Sequence, residues 1–304
     1  MRVLVTGATG FIGRHCLEPL CAKGYEVHAV SSSLVRSTST VQWHQANLLD
    51  ATQTRKVLRT IKPTHLLHLA WYTEHGKYWT ASENLSWTAA SLAIVEEFIA
   101  CGGERLVTAG TCAEYEWGHG VCIEGVTPVQ PATLYGTYKH ALQLMLSSWC
   151  KQCAVSSAWG RVFSLYGPHE HPHRLVASVI KNLLLGQRAS CGNASLVRDY
   201  LHAQDVALAF VTLLGSELQG AVNIGSGEGI TLQALVECIA EKTQRLDLID
   251  LAVMPTTDTS QVPLLTADIA RLASTGWSKS HDLDSGLDNT IAWWREQLAT
   301  SQVG

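Results

Sequence analysis

Short apolar runs alternate with longer stretches of helical periodicity through the first half of the chain. Residues 2–5 read as a buried strand, and residues 11–21 carry apolar side chains at helical spacing. Further strands are predicted over residues 26–30, 41–44, 65–70, 105–109 and 155–163, with the clearest helices over 82–101 and 132–149. Strands alternating with helices imply parallel pairing through right-handed crossovers, so the predicted fold class is α/β with a doubly wound parallel sheet. After Tyr166-Gly167-Pro168 the alternation loosens, and helices are predicted over 175–185, 206–214, 232–240 and 286–299. This pattern predicts a smaller C-terminal substrate-binding lobe over the carboxyl ends of the sheet, where open α/β folds hold ligands. The expected division is a dinucleotide-binding domain from residues 1–165 plus about 198–225, and a lobe from about 166–197 plus 226–304.

The first strand meets the first helix at Val5-Thr6-Gly7-Ala8-Thr9-Gly10-Phe11-Ile12-Gly13. Three glycines at such a junction let the backbone turn tightly, approach a pyrophosphate closely and pack helix against sheet. The unpaired N–H groups and the dipole at the helix start then favour the diphosphate charge. Gly7, Thr9, Gly10, Phe11, Ile12 and Gly13 are the expected cofactor contacts of a Rossmann-type site. At the end of the second strand stands Ser31, followed by Ser32 and Ser33. An acidic residue there would hold the 2′-hydroxyl of NAD and repel a 2′-phosphate. The serines supply hydroxyls instead, and Arg14 and Arg36 supply cations. NADP(H) is therefore the preferred cofactor, with NAD(H) the alternative.

Composition narrows the class without changing it. The chain has 304 residues, 46% hydrophobic and 16% charged, enough for one large or two modest domains. A net charge of −4 gives no reason to expect nucleic acid or an anionic membrane as partner. Neither a secretory leader nor a membrane-length apolar run is evident, so a cytoplasmic enzyme is expected. The nine cysteines are odd in number, and Cys150 and Cys153 are expected to be buried thiols rather than a redox pair. His169, Glu170, His171 and His173 lie in a loop without helical spacing. No metal site is expected from them; a loop covering substrate is.

Candidate chemistry centres on Tyr135-Gly136-Thr137-Tyr138-Lys139. Tyr135 and Lys139 are four apart and share one helical face. An ammonium beside a phenol is expected to lower the tyrosine pKa from its usual value of about 10. Thr111, at the end of the preceding strand, offers a hydroxyl that could polarise a carbonyl from the other side. Hydroxyl, phenol and ammonium together suit hydride transfer at a carbonyl carbon. The run from Trp71 through Tyr72, Tyr78 and Trp79 follows the fourth strand. It reads equally as a sugar-side wall or as a self-packed aromatic loop.

Taken in order, these pieces resemble an extended short-chain dehydrogenase/reductase of the nucleotide-sugar epimerase, dehydratase and 4-ketoreductase type. The matching residues are the glycine loop, His68-Leu69-Ala70, Asn84, Thr111 with Tyr115, Tyr135 with Lys139 and Arg161-Val162-Phe163-Ser164-Leu165-Tyr166-Gly167-Pro168. Arg198-Asp199-Tyr200-Leu201-His202, Asp205-Val206-Ala207, Asn223-Ile224-Gly225-Ser226-Gly227 and Ala267-Asp268 with Gly276-Trp277 follow. The resemblance implies Tyr135 as proton donor or acceptor, Lys139 as its support and a ligand of the nicotinamide ribose, and Thr111 as the residue orienting the substrate oxygen. It also implies that Asn47, Leu48, Leu69 and Ala70 line the cofactor. Arg198 is implied at the substrate diphosphate. Ser164, where the family often has asparagine, is implied on the substrate.

Dehydratases of this family place Asp-Glu directly after the active-site threonine, whereas this chain has Cys112 and Ala113. Glu114 is expected to point to the opposite face of the strand. Without those carboxyls 4,6-dehydration is not expected. The reading that remains is NADPH-dependent reduction of the 4-keto group of a nucleotide-linked 4-keto-6-deoxy sugar, with nucleotide-sugar 4-epimerisation as the alternative. A non-catalytic dinucleotide sensor is a lesser one. The resemblance further implies a homodimer formed through the helix that bears Tyr135 and Lys139.

Overall fold

A computed structural model describes residues 1–252 and 262–301 of the chain. Its strands are β1 (Arg2–Thr6), β2 (Glu26–Ser31), β3 (Val41–Gln45), β4 (His65–His68), β5 (Arg105–Thr111), β6 (Gly120–Cys122), β7 (Ser156–Val162), β8 (Ser164–Tyr166), β9 (Ala189–Gly192), β10 (Val197–His202), β11 (Gly220–Ile224), β12 (Gly229–Thr231), β13 (Ile249–Ala252) and β14 (Leu264–Ala267). The helices are α1 (Gly13–Ala22), α2 (Ala51–Ile61), α3 (Glu83–Ala100), α4 (Leu134–Gln152), α5 (Leu175–Leu184), α6 (Ala203–Leu214), α7 (Leu232–Thr243), α8 (Ala270–Ala273) and α9 (Leu283–Ser301).

Successive residues of the central strands enter different cores, as a sheet covered on both faces requires. Val3, Val5, Leu67 and Val107 pack with Cys16 and Leu20 of α1 and with Val206 and Phe210 of α6. Leu4, Leu66 and Leu106 face the other way, onto Leu58 of α2, Phe98 of α3 and Leu142 of α4. The seven strands are all parallel, in the order β11-β7-β5-β4-β1-β2-β3. The expected doubly wound α/β fold is present. Strand order reverses between β1 and β4, which places the crevice for a ligand at the carboxyl ends of these two strands.

A second group of elements covers that end. β12, β10, β14 and β6 form a sheet in that order, with β8 paired to β10, and β9 pairs with β13. Behind them α5, α7 and α9 share a core containing Ile180, Val236, Ile239, Leu287 and Trp294. β10 bridges the two groups through Asp199. Its Oδ1 accepts from the backbone and hydroxyl of Ser226, and its Oδ2 from the backbone of Gly227 and Ala267.

The differences from the predicted elements are local and have local causes. β4 stops at His68 because the next two N–H groups, of Leu69 and Ala70, turn to the Thr6 hydroxyl. α2, not singled out in the sequence, is started by Asp50, whose carboxylate accepts from the Thr52 and Gln53 backbone. Cys150 is buried as expected, but Cys153 is exposed, because it caps the carboxyl end of α4 on the open side of the turn. Among the described residues no helix is long and apolar enough to cross a membrane.

Candidate active site

The glycine loop is built for close approach. Gly7 lies in the left-handed region at φ +68°, and a Cβ there would stand 2.8 Å from the Ala70 nitrogen. The backbones of the β1 and β4 ends therefore touch directly beneath the loop, and the Gly10 N–H closes the turn onto the Gly7 carbonyl at 2.9 Å. A Cβ on Gly13 would overlap that same carbonyl. Such a loop, leading into the start of α1 with Thr9 and Gly10 exposed, fits a pyrophosphate. Phe11 and Ile12 are partly exposed beside it. Arg14 folds back onto the loop, donating from Nη2 to the Thr9 carbonyl (2.6 Å) and from Nε to that of Gly10 (3.2 Å). Its charge thus sits at the pyrophosphate cradle. Ser31 accepts from the Ser33 N–H at 3.1 Å, and Arg36 is exposed beyond it. Asn47 is exposed and Leu48 half-buried after β3, at the same edge of the sheet.

Below the crevice a chain of hydrogen bonds fixes the protein groups at the switch point. Thr6 Oγ1 accepts from the Leu69 and Ala70 N–H groups, so its own proton goes to His68 Nδ1, 2.7 Å away. His68 Nε2 then carries the ring proton and donates to Ser91 (2.8 Å), which donates to the Trp87 carbonyl. Burial, with Lys139 nearby, keeps this imidazole neutral at a pKa of about 3.

Thr111 ends β5 and opens a short turn over Cys112–Glu114. The Thr111 hydroxyl caps the Ala113 N–H, while Glu114 reaches back to the Thr111 N–H at 2.9 Å. Glu114 is fully buried. It also accepts from Trp159 Nε1 (2.8 Å) and is ion-paired with Arg161 at 2.9 Å. This carboxylate is a strut beneath Thr111, committed on both oxygens. Arg161 in turn lies over the Tyr115 ring, whose hydroxyl donates to Asn223.

α4 approaches the turn closely because residue 136 is glycine; a Cβ there would overlap the Ala113 carbonyl. Thr133 caps the helix by accepting from the Gly136 N–H. Tyr135 is thereby placed with its phenol beside the Thr111 hydroxyl. Lys139, one turn on and 3% exposed, donates to the Ala109 carbonyl at 2.9 Å and lies 3.7 Å above the Trp71 ring centroid. The structure thus sets Tyr135 against Thr111, with Lys139 one helical turn along and bonded to Ala109 of the same strand as Thr111. The electrostatics differ from the sequence expectation. Burial, reinforced by Tyr78, pushes the Tyr135 pKa up rather than down, and Thr111 only partly opposes this. The penalty falls on the lysine too, whose burial depresses it to about 7. Lys139 donates to a carbonyl and lies over an indole, and it does not offset the burial of the phenol.

Aromatic side chains of the segment after β4 enclose the phenol. Tyr78 and Trp79 meet the Tyr135 ring edge to face at 5.0 and 5.8 Å. Asn84, fully buried, shapes the segment: Oδ1 accepts from Trp71 Nε1, and Nδ2 donates to the Tyr78 and Ala81 carbonyls. The segment is self-packed, as one of its two sequence readings expects. Its rings pack against each other and, by their edges, against the candidate catalytic residue.

On the opposite side stand β10 and the loop after β8. Arg198 Nη1 donates to the Val197 and Val262 carbonyls, and its partly buried guanidinium lies near Tyr200 and Cys112. Ser164 is half-buried and pairs in register with Tyr200. Cys112 has its thiol pushed up to about 12 by burial and by neighbouring acids. It is neutral.

Sequence reasoning missed Arg174. It precedes α5, and its charge is felt by Tyr78, Tyr200, Glu170 and His75. Two guanidinium groups therefore border the cleft, a suitable setting for an anion. Nothing in the local sequence sets Arg174 apart from a surface arginine. Glu170 is buried with Oε2 lacking a hydrogen bond, and burial raises it to about 8. His171 and His173, expected to belong to a covering loop, stack with His75 of the aromatic segment across the cleft.

A family model described as the NAD dependent epimerase/dehydratase family matches residues 3–225. UDP-glucose 4-epimerase of Rhizobium meliloti is 25% identical over 324 residues, covering 96% of each chain. Human dTDP-D-glucose 4,6-dehydratase is 24% identical over 334 residues, covering 98% of this chain and 91% of that one. Among solved structures, Thermus thermophilus UDP-glucose 4-epimerase with NAD superposes with a TM-score of 0.83 at 26% identity, covering 97% and 99% of the two chains. MoeE5 in complex with UDP-glucose and NAD superposes with a TM-score of 0.83, also at 26% identity, covering 98% and 100%.

Proposed function

Because the chain belongs to the NAD-dependent epimerase/dehydratase family, we propose that it uses NADPH to reduce the 4-keto group of a nucleotide-linked 4-keto-6-deoxy sugar. The observation that carries this reading is the hydroxyl edge at the end of β2. There Ser31 turns its oxygen to the Ser33 N–H, and no carboxylate stands to repel a 2′-phosphate. A reductase consumes its reductant from solution, and a 2′-phosphorylated reductant suits that use. When bound, the nicotinamide supplies the hydride. The chain's own groups do the rest: Thr111 holds the 4-keto oxygen, Tyr135 gives that oxygen its proton, and Lys139 supports the phenol and holds the ribose. A phenol whose pKa is raised is protonated at neutral pH, the state a proton donor must start from. Arg198 and Arg174 are assigned to the diphosphate. Cys112 and Ala113 offer no carboxylate for elimination of water, and Glu114 is tied down beneath them.

A second reading, 4-epimerisation with NAD retained, is favoured by the 4-epimerases among the relatives. Turnover decides between the two. A panel of nucleotide-linked 4-keto-6-deoxyhexoses should oxidise NADPH mole for mole, with a KM for NADPH at least about tenfold below that for NADH. Inversion at C4 of a nucleotide sugar with no loss of NADPH would replace this reading by the epimerase. Ser31→Asp is expected to weaken NADPH binding by about tenfold or more. A like charge near 4 Å costs roughly 1–4 kcal/mol between bulk water and a protein surface. Fluorescence titration of both cofactors checks it.

We also infer a homodimer through α3 and α4. These helices pack together and leave Leu85, Leu144 and Met145 exposed.

A further inference from the structure

Away from Thr111, Tyr135 and Lys139, the fold gathers three side chains with lone pairs: His202 at the end of β10, Asp205 in the first turn of α6 and His281 just before α9. One ligand atom from each lies within 4.8 Å of the other two. His281 Nδ1 stands 3.1 Å from Asp205 Oδ2. Zinc bonds of about 2.0–2.2 Å at tetrahedral angles put ligand atoms roughly 3.3 Å apart, close to the spacing of this hydrogen-bonded pair, whose shared proton an ion would displace. The two imidazole rings lie with centroids 4.2 Å apart, their planes tilted by 35°.

The second observation is His202 itself. It is 1% exposed, and neither ring nitrogen completes a hydrogen bond, with Asn289 as a polar neighbour. A buried imidazole without partners is costly, and ligation of an ion is one way to satisfy it. Asp205 is oriented in advance, since the Ser280 and His281 N–H groups donate to its two oxygens. Ligating carboxylates have such outer support in metal sites. Both histidines line a cavity of about 230 Å³ together with Tyr166, Tyr200, Ser226 and Lys279.

We propose that His202, Asp205 and His281 form a binding site for a divalent transition-metal ion of the zinc type, with a fourth coordination position open to this cavity. Two imidazoles and one carboxylate suit zinc, cobalt or nickel; magnesium and calcium prefer all-oxygen shells. Bound there, the ion pins the segment before α9 to the start of α6 and to the strand that carries Arg198. The site stands apart from the reaction proposed above and survives its failure.

The test uses the full chain, freed of metal with a chelator, kept reduced and titrated with cobalt(II). One equivalent is expected to bind, giving visible d–d absorption without the near-ultraviolet charge-transfer band that a cysteine thiolate adds. His281→Ala, at a partly exposed position, should fold normally by circular dichroism and lose at least about 100-fold in cobalt affinity. Zinc should raise the unfolding midpoint of the parent chain and not that of the variant. His281→Cys should restore binding and introduce the thiolate band. Cobalt binding that His281→Ala leaves unchanged, or a parent spectrum dominated by thiolate, would overturn the site.

Discussion

Replacing Tyr135 with phenylalanine is expected to lower kcat by about 10²–10⁴-fold, the usual contribution of a positioned proton donor. NADPH affinity should stay within about threefold, a loss of less than 1 kcal/mol. The substitution keeps the ring, so the edge contacts with Tyr78 and Trp79 remain, as does the close fit of α4 that Gly136 allows. Only the hydroxyl beside Thr111 goes. Single-turnover oxidation of NADPH by a 4-keto sugar nucleotide measures the loss directly. If kcat is unaltered, Tyr135 is no proton donor. If KM rises while kcat holds, its part is binding alone.

Lys139→Met is expected to act in opposite directions on activity and stability. Turnover should fall by about 10²-fold or more, because in the proposed mechanism the nicotinamide ribose loses its lysine donor beside the reacting group. Stability should rise. The ammonium is buried and its folded pKa is about 7, against about 10.4 in the unfolded chain. Between those values the unfolded chain holds a proton that the folded chain has released, so this group's contribution to stability increases as pH rises from about 7 to about 10. Below about pH 7 the whole penalty is present. Each pKa unit corresponds to about 1.4 kcal/mol, against which the lost Ala109 bond and the Trp71 contact count for roughly 1 kcal/mol each. A net gain of a few kcal/mol at pH 7, shrinking toward pH 10, is expected in Tm measured across that range. A variant less stable than its parent at pH 7 would mean that the lysine's contacts outweigh its desolvation.

What could be read from the sequence was local. The glycine loop states its geometry in consecutive residues, since Gly7 must adopt a positive φ and Gly13 must pass under a carbonyl. Tyr135 and Lys139 are one helical turn apart, so their common face follows from spacing alone. Glu114 shows where that reasoning ends. Strand alternation would turn it away from Thr111, but the chain leaves the strand at residue 111 and a tight turn brings the carboxylate back beneath its own cap. The direction of the Tyr135 pKa was likewise hidden. It depends on the aromatic segment that closes over the phenol and on the carbonyl that claims Lys139, neither of which spacing reveals. Arg174, and the meeting of His202 with His281, arise from elements far apart in the chain and exist only once the sheet and its covering helices are assembled.

The last strand to join the seven-stranded sheet has a consequence for synthesis. β11 pairs with β7 along five residues, yet it is made only after the chain has left the sheet to form β8, α5, β9, β10 and α6. Until residues 220–224 leave the ribosome, β7 presents an open parallel ladder with apolar side chains on both faces. Such an edge recruits other chains. The nucleotide-binding half is therefore no module that can be cut free at residue 165. Gene fragments ending before β11 would yield sticky, unfinished sheets, whereas the sheet of the intact product can close once residue 224 has emerged.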